Sequence, residues 1–240
     1  MTLLRGMGAE FLKLRRSMTL WLTVLFPLLC MLAFGWYLAT THRMTWDNLQ
    51  ETFLIWLVFW SAGGTALQAA LAANMDGQNW RALLARPVEP GIQLGAKYLT
   101  LLVLLLLHAL WFSVLILITG LLLHAEGEIL WGSLLGAPLA TTLFVMPMLL
   151  LYTWLATAKG FGWTIGLGGI GMLVGTLLGT TSMGDAVWMY VPWAWPFRFP
   201  MMAHALSTNW PQLLFPVVAT VVLTVTVLWV SIRWFRRREW

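Results

Sequence analysis

Charge is scarce in this chain of 240 residues. Asp, Glu, Lys and Arg together make up 10% of it, and 60% is hydrophobic; a soluble domain carries about 25% charged residues. That shortage excludes an ordinary soluble fold. There is a single cysteine, Cys30, so no disulfide forms within the chain, and the cellular compartment cannot be read from thiol chemistry. Cys30 reads as a small apolar residue of the first hydrophobic run. The only lysines are Lys13, Lys97 and Lys159. None follows a Gly-rich turn, so the phosphate-binding loop of ATP-hydrolysing proteins is missing. The histidines (His42, His108, His124 and His204) are scattered and form no His-Glu-x-x-His or other ligand cluster. No Gly-x-Ser-x-Gly nucleophile motif occurs. No Asp or Glu falls in the middle of a hydrophobic run, which argues against a proton- or sodium-coupled carrier. An integral-membrane enzyme would need paired carboxylates or a nucleophile–base pair near a span end. Asn74 and Asp76 are the nearest cluster, and they stand alone.

What the chain has in quantity is apolar sequence. Spanning a bilayer takes about 20 predominantly apolar residues. Runs of that length are predicted near residues 19–40, 52–72, 98–123, 137–157, 161–180 and 213–231. The expected fold is therefore an all-α integral membrane protein of six transmembrane helices, in one domain covering 1–240. The first run follows Arg5, Lys13, Arg15 and Arg16. It is too long for a signal-peptide core and ends in Trp36 and Tyr37 rather than a cleavage site, so it reads as a retained anchor.

Cytoplasmic loops are enriched in Lys and Arg. Six spans put both termini on the same side as loops 73–97 and 158–160. That side holds twelve of the fourteen Lys and Arg residues; only Arg43 and Arg198 lie opposite. Both termini are thus expected in the cytoplasm. The net charge of +5 is a topology signal, and nucleic acid is not an expected partner.

Several segments stand out. In 2–18, Leu3, Met7, Phe11, Leu14 and Met18 recur at helical spacing with Arg5, Lys13 and Arg16 mostly off that face, the pattern of an amphipathic helix in the membrane interface. The second run contains Gly63, Gly64 and Gln68, and the third contains His108. Gln68 in lipid needs a partner on another helix or water in a cavity. An intramembrane ionisable residue marks a functional site by default, though a neutral imidazole is also satisfied by a carbonyl or by a hydroxyl such as Ser113. Pro138 and Pro147 interrupt the fourth run, which is tolerated where neighbours satisfy the freed carbonyls. The fifth run carries two small-residue repeats, Gly162-x-x-x-Gly166 and Gly171-x-x-x-Gly175-x-x-x-Gly179. They mark close helix packing, either within the chain or against a second one. Segment 181–211 is aromatic and broken by Pro192, Pro196 and Pro200, which fits an external re-entrant or interfacial element.

The stretch 73–97 is the polar exception. Its helical pattern Trp80-Arg81-Ala82-Leu83-Leu84-Ala85-Arg86 leads into Pro87-Val88-Glu89-Pro90-Gly91 and then Gly95-Ala96-Lys97-Tyr98-Leu99. Together with the basic amphipathic helix, the six spans and Pro192-Trp193-Ala194-Trp195-Pro196-Phe197-Arg198 before the last span, it resembles the permease subunits of ABC type-2 exporters. Within them the chain is most similar to the lantibiotic-immunity and bacitracin-resistance group. The resemblance covers essentially the whole chain.

The resemblance implies a bacterial cytoplasmic-membrane protein with no cofactor of its own. ATP and Mg would bind two copies of a separate ATP-binding subunit. A second permease, identical or related, would pair with this one within the lipid. In such permeases the loop between spans two and three carries a coupling helix that docks on the ATPase, here matched by Asp76, Trp80, Arg81, Leu84, Arg86, Pro87 and Lys97. Trp and Arg also dominate protein–protein hot spots. The implied activity is expulsion of an amphipathic antimicrobial peptide, with a lipid, an ion or a drug-like molecule as alternative cargo. Gln68, His108, Trp188, Trp193 and Trp195 are candidates for the substrate path, because indoles offer an apolar face with a polar edge. A membrane scaffold without transport is the competing class besides an enzyme.

Overall fold

A computed structural model describes residues 2–15, 17–41, 44–75, 89–129, 131–202 and 206–237. Among these residues there is no strand, only one isolated bridge. The helices are α1 (Leu3–Leu14), α2 (Met18–Thr40), α3 (Trp46–Phe59), a π turn (Trp60–Gly64), α4 (Thr65–Asn74), α5 (Pro90–Leu122), α6 (Trp131–Lys159), α7 (Phe161–Thr180), α8 (Trp195–Met202) and α9 (Leu206–Arg237). Six helical stretches are long and apolar enough to cross a membrane: α2, the run α3–π–α4, α5, α6, α7 and residues 214–237 of α9. The protein is an all-α integral membrane protein.

The second, third and fourth spans are longer than the apolar runs alone suggest. The second begins at Trp46, so Asp47 and Glu51 lie in its first turns rather than in a loop. Thr45 caps it by accepting from the Asn48 amide at 3.2 Å, and Asp47 sits in the first turn, where the helix dipole favours an acid. The third begins at Pro90, which suits a first helical position because its missing N–H would be unpaired there anyway. The polar Gly91–Lys97 segment is therefore the start of α5 and not a separate helix. Nothing between Gly95 and Tyr98 breaks the hydrogen-bond ladder.

The run α3–π–α4, α5 and α6 form the centre, with half or more of their apolar windows buried. α2, α7 and α9 are only 28%, 22% and 17% buried. They turn Trp21, Leu29, Leu32, Ile170, Leu173, Val221 and Val225 outward. At one end of the bundle, Trp46 N donates to the Glu126 carbonyl and Glu126 N to the Met44 carbonyl, tying the α2–α3 loop to the α5–α6 loop. At the other end Gly6 of α1 meets Ala96 of α5, and Arg236 of α9 pairs with Glu89 before α5. The α1 helix, the last turn of α9 and the start of α5 thus gather at one end. α6 and α7 are joined through Gly160 alone, whose φ of 93° is the left-handed conformation glycine adopts freely.

Segment 181–202 folds back onto the bundle. Three single turns (Ser182–Gly184, Trp188–Tyr190, Pro192–Ala194) lead into α8. Trp188, Ala194 and Trp195 form a second core with Phe144 of α6. Arg198 closes the segment by pairing with Asp185 and donating to the Thr181 carbonyl.

Candidate functional site

The π turn at Trp60–Gly64 interrupts the second span at its middle. A π turn adds one residue to the helical repeat, and such bulges are frequent at functional sites. Here it leaves Gly64 directly beneath the Trp60 indole; a Cβ at Gly64 would fall 2.3 Å from the ring. Trp60 therefore folds flat along its own helix. It stacks on His108 of α5 with ring centroids 3.8 Å apart and planes 3° from parallel. One turn earlier, Trp56 is also stacked on Trp60 and donates its Nε1–H to His108 Nε2 at 3.2 Å. Phe26 of α2 closes the layer, 5.1 Å from Trp56 and 5.7 Å from Trp60.

Outside this layer lies an apolar groove of about 360 Å³. α2 contributes Phe26 and Phe34; the interrupted span contributes Ile55, Trp56, Phe59, Trp60, Gly63, Gly64 and Leu67; α7 contributes Met172. The groove is open on one side. Five aromatic rings facing a side opening suit hydrocarbon or an aromatic side chain, held by area and shape.

The candidate path residues are placed as follows. His108 and Gln68 are fully buried. Gln68 donates Nε2–H to Thr23 Oγ1 at 3.2 Å, and its Oε1 has no partner. His108 forms the back wall of the aromatic layer rather than the groove surface. The expected neighbour Ser113 instead donates to the Ala109 and Leu134 carbonyls. Trp188 and Trp195 are core residues of the folded-back segment, and Trp195 Nε1 donates to the Met189 carbonyl at 2.9 Å. Trp193 is half-buried and donates to the Tyr152 hydroxyl at 2.9 Å. The structure thus brings Gln68 and His108 to the inner side of the groove helices. It places the three tryptophans in a separate cluster against α6 and α7.

The glycine repeats separate by role. Gly171, Gly175 and Gly179 face Trp193 and Phe197 so closely that a Cβ would come within 2.3 to 2.7 Å of them. This repeat seats the folded-back segment. Gly162 and Gly166 meet nothing within 4 Å of such a Cβ. Asp76, Trp80, Arg81, Leu84, Arg86 and Pro87 lie outside the described residues. Lys97 is buried, and its Nζ donates to the Ala72 carbonyl at 3.2 Å in the last turn of α4.

Trp56, Trp60, Phe26 and Met172 were not singled out from sequence. A usable signal existed: Trp56 and Trp60 are one turn apart, and the Gly63-Gly64 pair follows at once.

A family model described as ABC-2 family transporter protein matches residues 7–175. No curated protein and no solved structure matches the chain.

Proposed function

The chain belongs to the ABC-2 transporter family, and on that premise we propose that it expels an amphipathic antimicrobial peptide, of the lantibiotic or bacitracin type, from the membrane. As a member it is a transmembrane transport component, and permeases of this family generally work with an ATP-binding subunit. The observation that carries the substrate reading is the side-opening groove of about 360 Å³ with its aromatic lining. A molecule already dissolved in the bilayer reaches such a groove without crossing water. Peptides of this class bring bulky apolar side chains of matching chemistry. Because the lining is almost wholly apolar, a lipid acyl chain is the second reading.

The drive comes from below in this proposal. Two ATP-binding subunits dock at the end where α1, the last turn of α9 and the start of α5 gather, and the loop bearing Trp80, Arg81, Leu84 and Arg86 is their handle. In this reading that end faces the cytoplasm, which the bias of twelve basic residues to its side supports. A second permease, a copy or a relative, pairs with this one in the bilayer. The open Gly162 and Gly166 face of α7 and the outward apolar residues of α2 and α9 support such pairing.

The test is co-expression with the ATPase in cells challenged with a panel of lantibiotics and bacitracin. Raised tolerance to at least one peptide, lost on Trp60→Ala, is the expected result. Equal sensitivity across the panel overturns the peptide reading; retained transport of a labelled lipid in vesicles would then favour the second. Separately, Trp80→Ala with Arg81→Ala is expected to abolish ATPase pull-down from the intact permease.

A further inference from the structure

α2 contains Pro27 within its helix. Proline lacks the N–H that would bond to the carbonyl four residues back, so the Thr23 carbonyl has lost its helical partner. In a bilayer such a carbonyl must be satisfied by a neighbour. The neighbour is α5. Trp111 donates its Nε1–H to the next carbonyl in line, Val24, at 3.1 Å. His108 lies one turn earlier on the same face of α5, and its ring stacks on Trp60, which also meets Phe26 of α2.

The protonation pattern of His108 follows from its other contact. The Trp56 indole N–H can only donate, so His108 Nε2 accepts and the ring proton of the neutral imidazole sits on Nδ1. Nδ1–H is thus a buried donor with no partner, beside a helix in which an acceptor was set free. The Thr23 carbonyl, one residue before the carbonyl that Trp111 serves, is the acceptor that matches it. The same pairing recurs elsewhere on α5: Pro138 frees the Leu134 carbonyl of α6, and Ser113 donates to it at 2.9 Å.

We propose that His108 is a positioning residue, whose otherwise unspent Nδ1–H serves the Thr23 carbonyl that Pro27 sets free and thereby fixes the bend of α2. Phe26, beside the break, forms one wall of the groove opposite Trp60, so the bend sets the groove width. Trp56 and Trp60 fix the imidazole plane, and Trp111 steadies the next carbonyl. The latch itself does not depend on what the protein transports; only its consequence for the groove does.

Cys30 is the sole cysteine, lies three residues beyond Pro27 and is partly buried, which makes it a built-in reporter. The experiment measures the rate at which N-phenylmaleimide labels Cys30 in the full chain in lipid nanodiscs. His108→Ala is expected to raise the rate several-fold. In a Pro27→Leu chain, whose residue 27 supplies the missing N–H, the same His108→Ala change is expected to leave the rate unaltered. Unchanged labelling with Pro27 present, or equal acceleration in both backgrounds, overturns the proposal. Where His108→Ala fails to fold, the amide variants decide. Asn places an N–H near the Nδ1 position, and Gln places one near Nε2. His108→Asn is expected to label like the unsubstituted protein and His108→Gln faster; the reverse order overturns the latch. No arm measures transport, so a failed peptide assignment and a failed latch give different results.

Discussion

The Trp60 indole lies parallel to the His108 imidazole, 3.8 Å away, because Gly64 leaves its own side-chain position empty beneath the ring. One absent methyl group thus connects a π turn in the second span to the only histidine buried among the described residues. It also settles which face of Trp60 the groove meets.

Gly64→Ala tests that dependence. Its Cβ would fall 2.3 Å from the Trp60 ring, a distance no side chain tolerates, so the ring must leave His108. Overpacking of this kind costs about 1–3 kcal/mol. The thermal midpoint in detergent is expected to fall, and Trp60→Leu in the same chain is expected to recover part of the loss. A midpoint unchanged by Gly64→Ala would mean that the indole does not occupy this position.

The two glycine repeats give an internal control. Gly175→Val places methyl groups where Phe197 and the Trp193 carbonyl already stand, and it is expected to release segment 181–202 from α7. Gly166→Val meets no neighbour within the chain and is expected to leave the monomer's unfolding midpoint unchanged. If the permease pairs along that face, Gly166→Val lowers the yield of cross-linked pairs in membranes while Gly175→Val does not act through pairing. The comparison is read from midpoints in detergent beside cross-linking yields in membranes.

The class and span count were legible because hydropathy is a bulk property: α2 and α7 coincide with the apolar runs to within a residue, while α5 and α6 begin about two turns before theirs. That 181–202 is broken into short turns rather than one long helix was legible from its prolines. The site was not. Whether a repeat such as Gly171–Gly179 faces a partner chain or its own Trp193 depends on helix rotation, which spacing alone leaves open. His108 was visible as an anomaly, yet its neighbours Trp56 and Trp60 are more than forty residues away in sequence. The π turn that aligns them leaves no periodic signature, because one inserted residue does not alter hydropathy.

Lys97 separates docking from support. Its ammonium group is buried against the Ala72 carbonyl, near the last turn of α4, where unpaired carbonyls and the helix dipole favour a cation. Lys97→Met keeps the apolar stem and removes that donor. A loss of about 1.5–3 kcal/mol in unfolding free energy is expected, the range for a hydrogen bond to a charged group. ATPase pull-down per folded permease is expected to persist. Normal stability with lost pull-down would instead assign Lys97 to docking alone.

Ser113 offers the cleanest measure of what α5 contributes to its proline-broken neighbours. Its hydroxyl donates to the Leu134 carbonyl at 2.9 Å, the acceptor that Pro138 cannot serve. Ser113→Ala leaves that carbonyl uncapped inside the bundle, since Ser113 is buried. Hydrogen bonds between membrane helices average about 0.6 kcal/mol and reach about 1.7 kcal/mol, and a loss toward the upper part of that range is expected because no helical donor remains. Pro138→Leu restores an N–H to the ladder, so in that background Ser113→Ala is expected to cost almost nothing. The double-mutant cycle is read from reversible unfolding in mixed micelles. Additive losses would show that the hydroxyl acts through packing alone, and would weaken by analogy the case for a proline-dependent latch at His108.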